Sequence, residues 1–261
     1  MLPSSEDAPQ TVRLVNRPGA AGHDVRSNSS QGIFMEFRDI FNTTHEAIES
    51  GNWNPYLGIS INNKYFTPEN IAAFASWGAQ HCRDGFALLV VDILQRINNE
   101  VFDKANVEKA ISKAFRQSDV ILDSCRQALA TLPAAAREKV VILEWPDIMD
   151  AAYFHNTRIV FDNFKNNEAF RNYIVDSVSG NLGSIIHRLN EEKRLTLCNY
   201  VLYELSEFLC GFVHKGVHYD LCVYPGSIAT LTRELLQQDF FQDIYGQFIF
   251  HGPLAHAEMY A

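Results

Sequence analysis

Six consecutive apolar residues, Phe86 to Val91, stand between Gly85 and Asp92, and no other stretch constrains the fold as strongly. A strand with one wet face alternates apolar and polar residues. One that is apolar throughout is covered on both faces, as in a parallel sheet flanked by helices. The rest of the chain supplies the partners. Tyr56–Ile61 and Val140–Leu143 read as further strands, Leu221–Tyr224 as a late one ended by Pro225, and Gln247–Phe250 as the last. Helical spacing covers 33–50, 68–84, 107–131, 193–210 and 228–238, and 147–190 is mostly helical with no strand. Strands alternating with helices predict an α/β chain with a mostly parallel sheet and helices on both faces.

Composition narrows the setting. The 47% hydrophobic and 20% charged content excludes disorder for the chain as a whole. Residues 1–31 are rich in Ser, Pro, Gly, Ala and Asn without periodicity and read as a flexible tail. No apolar run approaches the ~18 residues of a membrane span. The start lacks a basic segment followed by an apolar one, so cytoplasmic residence and no membrane partner are expected. Cys82, Cys125, Cys198, Cys210 and Cys222 are odd in number and form no Cys-x-x-Cys pair, which argues for core cysteines over disulfides or zinc. His214 with His218, and His251 with His256, have spacings a metal can use but no neighbouring Glu or Cys, so no metal is expected. A net charge of −9 disfavours indiscriminate polyanion binding. An RNA partner would need a local basic face.

Three segments carry candidate chemistry. In Leu57-Gly-Ile-Ser-Ile-Asn-Asn-Lys-Tyr-Phe66, Ser60 ends an apolar strand and Thr67-Pro68-Glu69 starts a helix. In an open α/β sheet that end of a strand faces the ligand crevice, so Ser60 reads as a nucleophile; the same turn chemistry also describes a serine that caps backbone groups. Tyr200 and Glu204 are four apart on one helix face, an acid/base or ammonium-holding pair if they face a pocket and a surface pair if they face water. Tyr224 ends the late strand on the same sheet edge as Ser60, a position that a core-rim tyrosine more commonly occupies. Ser60 lacks the second glycine of a hydrolase nucleophile elbow, and no Gly-x-Gly-x-x-Gly or P-loop follows a strand.

Together these segments resemble the cyclodipeptide synthases over roughly residues 50–250. The matching residues are Gly58-Ile59-Ser60 with Asn63, Tyr65 and Phe66, then Tyr200 with Glu204, then Tyr224, with Trp77 and Gln80 on the intervening helix. Pro225 after Tyr224 is similar to one subgroup of the family, whereas Asn63 is similar to the other. The resemblance implies one Rossmann-like catalytic domain over 32–261, similar to those of class I tyrosyl- and tryptophanyl-tRNA synthetases. It also implies a monomer that needs no cofactor and makes a 2,5-diketopiperazine from two aminoacyl-tRNAs, through aminoacyl-Ser60 and dipeptidyl-Ser60 esters. Glu204, with Tyr200, would hold the substrate ammonium or relay its proton, and Tyr224 and Asn63 would complete the centre. By the same resemblance Tyr56, Gly58, Leu89, Val91, Cys222 and Glu207 line the first aminoacyl pocket, and Lys109, Lys113, Arg116 and Arg126 contact tRNA. Positions 109, 113 and 116 do share one helix face. The alternative is a non-catalytic aminoacyl-tRNA-binding protein of the same fold.

Overall fold

The apolar run forms the strand β3 (Phe86–Val91), buried at every position. The computed structural model describes residues 35–252 and 254–261, so the expected tail over 1–31 lies outside the described residues. β3 pairs in parallel with β2 (Pro55–Ser60) on one side and β4 (Val140–Glu144) on the other. Beyond β2 lie β7 (Leu221–Tyr224) and β8 (Ala255–Tyr260), also parallel, and β1 (Glu36–Phe41) closes that edge antiparallel to β8. The sheet order is β1-β8-β7-β2-β3-β4. β5 (Phe212–His214) and β6 (Val217–Tyr219) form a separate hairpin, turned by Lys215 and Gly216 at φ +49° and +82°, as a two-residue hairpin turn demands.

The helices are α1 (His45–Glu49), α2 (Pro68–His81), α3 (Gln95–Phe102), α4 (Val107–Ala130), α5 (Ala134–Arg137), α6 (Ala151–Asn166), α7 (Glu168–Leu182), α8 (Glu191–Cys210), α9 (Ile228–Leu236) and α10 (Asp239–Tyr245). Their starts are written in the sequence. Thr67, Asn106, Asp150 and Asn190 each cap a free amide three residues on, opening α2, α4, α6 and α8. Gly78 lets α2 lie close against β3, because a Cβ there would sit 2.2 Å from the Phe86 ring. Among the described residues no helix is long and apolar enough to cross a membrane.

Two expected elements are overturned. The helix expected over 33–50 is instead the strand β1 followed by the short α1. A bulge between Phe37 and Asp39 breaks the period-two pattern of β1, so Phe37 and Ile40 fall at a helix-like spacing of three. The strand expected over Gln247–Phe250 is a loop, and the last strand is β8. Ile249 satisfies both backbone groups on the Asn156 side chain, at 2.8 Å each, and therefore needs no ladder. In β8 the core-facing residues Ala255, Ala257 and Met259 alternate with His256 and Glu258, a weaker signal than Phe-Ile-Phe. All five cysteines are free and buried, as expected of core residues.

Candidate functional site

β2 is followed by β3 on one side of it, whereas β7 returns much later on the other side, so the winding reverses between β2 and β7. Open α/β sheets bind ligands beyond the carboxyl ends of strands at such a point. Ser60 ends β2 and Tyr224 ends β7. Their hydroxyl oxygens are 3.1 Å apart.

The turn after Ser60 is built by its asparagines. Asn63 N–H donates to the Ser60 carbonyl at 3.4 Å, with Asn62 at φ +65°, a left-handed conformation that asparagine tolerates better than other side chains. Asn63 Oδ1 then accepts the Tyr65 N–H at 3.0 Å, and its Nδ2 lies 3.5 Å from the Tyr224 hydroxyl. Tyr65 is held in turn by Asn70 Nδ2 on its carbonyl and by edge-on contacts with Phe74 and Tyr260. The Phe66 ring packs 6.1 Å from that of Tyr224. The turn is thereby fixed at both ends before any substrate arrives.

Strand register brings the expected pocket residues onto one face. Side chains alternate along a strand, so Tyr56, Gly58 and Ser60 point the same way. Their partners in register are Cys222 for Tyr56, Leu89 for Gly58 and Val91 for Ser60, and Tyr224 follows Cys222 by two. Gly58 contributes no side chain to this face.

α8 covers that face. Its end leads through Gly211 to Phe212, whose ring is 4.9 Å from that of Tyr56 near the start of β2, so α8 runs opposite to the strands. Tyr56 is fully buried; burial, then Cys222 and Glu207 beside it, raise its phenol well above its ordinary pKa and keep it protonated. Tyr200, Glu204 and Glu207 are all buried and spaced i, i+4, i+7 along one stripe of α8. From Glu207 back to Tyr200 the helix rises about 10 Å, close to the ~13 Å from Tyr56 to Ser60 along β2. Glu207 is the member of this stripe that lies beside Tyr56. The surface-pair alternative for Tyr200 and Glu204 is excluded by their burial.

The expected tRNA cations divide. Lys109 and Arg116 are exposed on α4 and form no ion pair among the described residues, whereas Lys113 is held by Asp103 at 2.7 Å and Arg126 by Asp123 at 2.6 Å. Arg126 also falls about 100° round the helix from the other three.

The sequence profile of the family described as "Cyclodipeptide synthase" matches residues 42–241. The chain belongs to the cyclodipeptide synthase family. Its fold is similar to the solved cyclodipeptide synthetase of Mycobacterium tuberculosis, described as related to type I tRNA synthetases, at TM-score 0.65 and 17% identity, covering 85% of this chain and 92% of that one. A cyclodipeptide synthase from Bacillus thermoamylovorans gives 0.65 at 19% identity, over 82% of this chain and 91% of that one. One from Candidatus Glomeribacter gigasporarum, bound to Phe-tRNAPhe, gives 0.52 at 15% identity, over 79% and 87% respectively. No curated sequence matches significantly.

Nothing in the sequence singles out Asp92 or α3. Asp92 directly follows β3 and is fully buried; Oδ1 accepts the Trp145 N–H at 2.9 Å, and burial raises its pKa. Trp145 Nε1 donates to the Tyr153 hydroxyl at 3.0 Å, which donates to the Tyr203 carbonyl on α8 at 3.2 Å. This line steadies the helix that carries Glu204. The only available signal was a lone Asp closing an apolar run. The histidine pairs do not converge on a metal: His218 Nδ1 meets the His251 carbonyl, and His251 Nε2 lies 3.1 Å from Asp150. Among the described residues no group of three or more His, Cys, Asp or Glu is arranged to hold one.

Proposed function

We propose that this cyclodipeptide synthase family member joins two aminoacyl groups, each delivered on tRNA, into a 2,5-diketopiperazine by way of Ser60 esters. The observation that carries this reading is the Ser60–Tyr224 hydroxyl pair at 3.1 Å, at the carboxyl ends of β2 and β7. Ser60 Oγ attacks the first aminoacyl ester, and its proton passes to the departing 3′-oxygen of tRNA, helped by the vicinal hydroxyl. The amine of the aminoacyl-Ser60, held by Glu204 and Tyr200 and deprotonated through them, attacks the second aminoacyl ester. That releases the second tRNA and leaves dipeptidyl-Ser60. The new terminal amine then attacks the Ser60 ester, closes the six-membered ring and returns the proton to Ser60. Tyr224 and Asn63 orient the carbonyl and relay protons. Both esters are already activated, so the protein's task is positioning and exclusion of water, and Ser60 is only 1% exposed.

The first side chain is received on the strand face that Tyr56, Gly58 and Ser60 share. Tyr56 and Glu207 close its far end, which favours a small or hydrogen-bonding residue over a large apolar one. Tyr224-Pro225 favours the Tyr-Pro subgroup, with Asn63 as its departure. Lys109 and Arg116 track the RNA backbone. The test is expression in a bacterium, mass spectrometry of the medium for diketopiperazines, and intact-mass detection of an ester on Ser60. Product and ester with the wild type, and neither with Ser60→Ala, support the synthase; tRNA binding without an ester in the wild type replaces it with the non-catalytic binding protein.

A further inference from the structure

The end of β8 reaches the turn that follows Ser60. The Tyr65 hydroxyl accepts the Ala261 N–H at 2.7 Å, a bond between residues 196 apart in the chain. Ala261 follows Tyr260, the β8 residue in register with Glu36 of β1, so its amide leaves the ladder and meets the turn instead. The Tyr260 ring stands edge-on to that of Tyr65, with centroids 5.9 Å apart, and Tyr65 stands edge-on to Phe66 at 5.8 Å. Phe66 packs 6.1 Å from Tyr224. Four rings, Tyr224, Phe66, Tyr65 and Tyr260, thus run from the reacting hydroxyls toward the β1 edge of the sheet. There the Arg38 guanidinium, held by Glu36 at 3.0 Å, lies 4.1 Å from the centroid of the Tyr260 ring, and the Tyr260 hydroxyl donates to Glu258 at 3.0 Å. The last ring is itself held in place.

β8 therefore meets both reacting hydroxyls, by separate routes. Through the ladder, Glu258 is in parallel register with Tyr224. Through Tyr260 and Ala261, the same strand holds Tyr65, whose N–H is bound to Asn63 Oδ1 at 3.0 Å in the turn after Ser60. The contacts close a ring that leads from Ser60 through the turn, Tyr65 and β8 to Tyr224, and from there back to Ser60 at 3.1 Å. The turn depends on such a tie because its own bonds are long. Asn63 N–H meets the Ser60 carbonyl at 3.4 Å and Asn63 Nδ2 the Tyr224 hydroxyl at 3.5 Å, both beyond the usual range, and Asn62 and Lys64 are exposed. Asn70 on α2 fixes the Tyr65 carbonyl at 2.8 Å, which leaves the phenol to β8. We propose that Tyr260 and Ala261 are positioning residues for the nucleophile: they hold Tyr65, and through it the Asn63 turn, at the spacing that keeps Ser60 within reach of Tyr224. This inference rests on the reading of Ser60 as the acylated residue.

The experiment follows Ser60 acylation by intact mass in single turnovers across a range of aminoacyl-tRNA concentrations. Ala261→Pro removes the donor and Tyr65→Phe the acceptor of one hydrogen bond, while Tyr260→Leu removes the ring. Each is expected to lower the saturating rate about tenfold with half-saturation unchanged, because a loosely held nucleophile loses orientation and not affinity. Tyr65→Phe combined with Ala261→Pro should be no slower than either alone, since both cut the same link. Tyr260→Phe keeps the ring and should hold the rate within about twofold of the wild type. Saturating rates within about twofold of the wild type in both Ala261→Pro and Tyr260→Leu overturn the inference. So does a double variant whose loss is the product of the two single losses, or an effect confined to half-saturation. A wild type that forms no ester on Ser60 overturns the reading beneath it, and the inference with that reading.

Discussion

The two ends of the central sheet treat their polar groups in opposite ways. At the amino end Asn54, fully buried, has every polar atom committed: its N–H donates to Asp220 at 2.8 Å, its Nδ2 to Asp84 and the His218 carbonyl, and its Oδ1 accepts the N–H groups of Asp84 and Gly85. At the carboxyl end Ser60 and Tyr224 share one hydrogen bond, and Asn63 reaches Tyr224 only at 3.5 Å. One end is saturated and holds strands, hairpin and loops together. The other brings two hydroxyls and a carboxamide together at the ends of β2 and β7. A sheet can carry both because buried parallel strands between the ends transmit position without needing polar partners.

That contrast breaks if stability and chemistry cannot be moved separately. The largest effect is expected from Asn54→Ala, which strands at least two amide donors and two carboxylate or carbonyl partners; denaturant titration should show a loss of about 4 kcal/mol. Turnover per folded molecule should stay within about twofold of the wild type. A large drop in turnover at unchanged stability would place Asn54 in the chemistry and end the division.

His256 lies near the same end, fully buried between Phe41 and Phe208, and burial pushes its imidazole down to about 4 from the ordinary 6.5. As pH falls the unfolded chain takes up this proton first, so the stabilisation is complete above pH 6.5 and is lost between 6.5 and 4. The loss is about 3 kcal/mol. His256→Gln should flatten that part of the stability–pH curve relative to the wild type. Parallel curves for the two proteins would show that acid sensitivity resides elsewhere.

At the carboxyl end, Tyr224→Phe removes one hydroxyl from the pair with Ser60 and leaves the ring against Phe66. Single-turnover diketopiperazine formation should slow about 100-fold, the effect of losing a positioned proton relay, with the denaturation midpoint nearly unchanged. An unaltered rate would reduce Tyr224 to a packing residue. The same logic applied to Gly78→Ala gives the reverse signature: a Cβ driven into Phe86 costs about 2 kcal/mol of stability and little else.

How much of this was legible in sequence depends on how each residue earns its place. The adjacency of Ser60 and Tyr224, and the shared buried stripe of Tyr200 and Glu204, were readable because each sits on an element whose periodicity is strong. β1 was not readable, because its bulge erases alternation, and the real last strand hid behind a loop whose backbone is satisfied by Asn156. α3 escaped for a third reason. Its sequence Gln-Arg-Ile-Asn-Asn-Glu-Val-Phe looks solvated, yet Gln95, Asn98 and Asn99 are buried through one another. Local polarity signals exposure only when the partners that satisfy it are water, and a carboxamide network is invisible until the fold assembles it.

The smallest expected effect tests whether the division extends to surface charge. Lys109 and Arg116 carry their charge unpaired among the described residues on α4, while Arg83 at the amino end is paired with Asp84 and Asp220. A cation that meets a phosphate releases a counterion, so removing it should reduce the slope of log affinity against log salt by about 0.7–0.9. Lys109→Ala and Arg116→Ala should each do so in tRNA-binding titrations across salt concentrations, weakening binding only a few-fold at low salt. Arg83→Ala should leave the slope as it is and cost a few tenths of a kcal/mol of stability, the worth of an exposed pair. If all three variants changed the slope alike, RNA would be sensing the overall charge of an acidic protein, and the two ends of the sheet would differ in their buried groups alone.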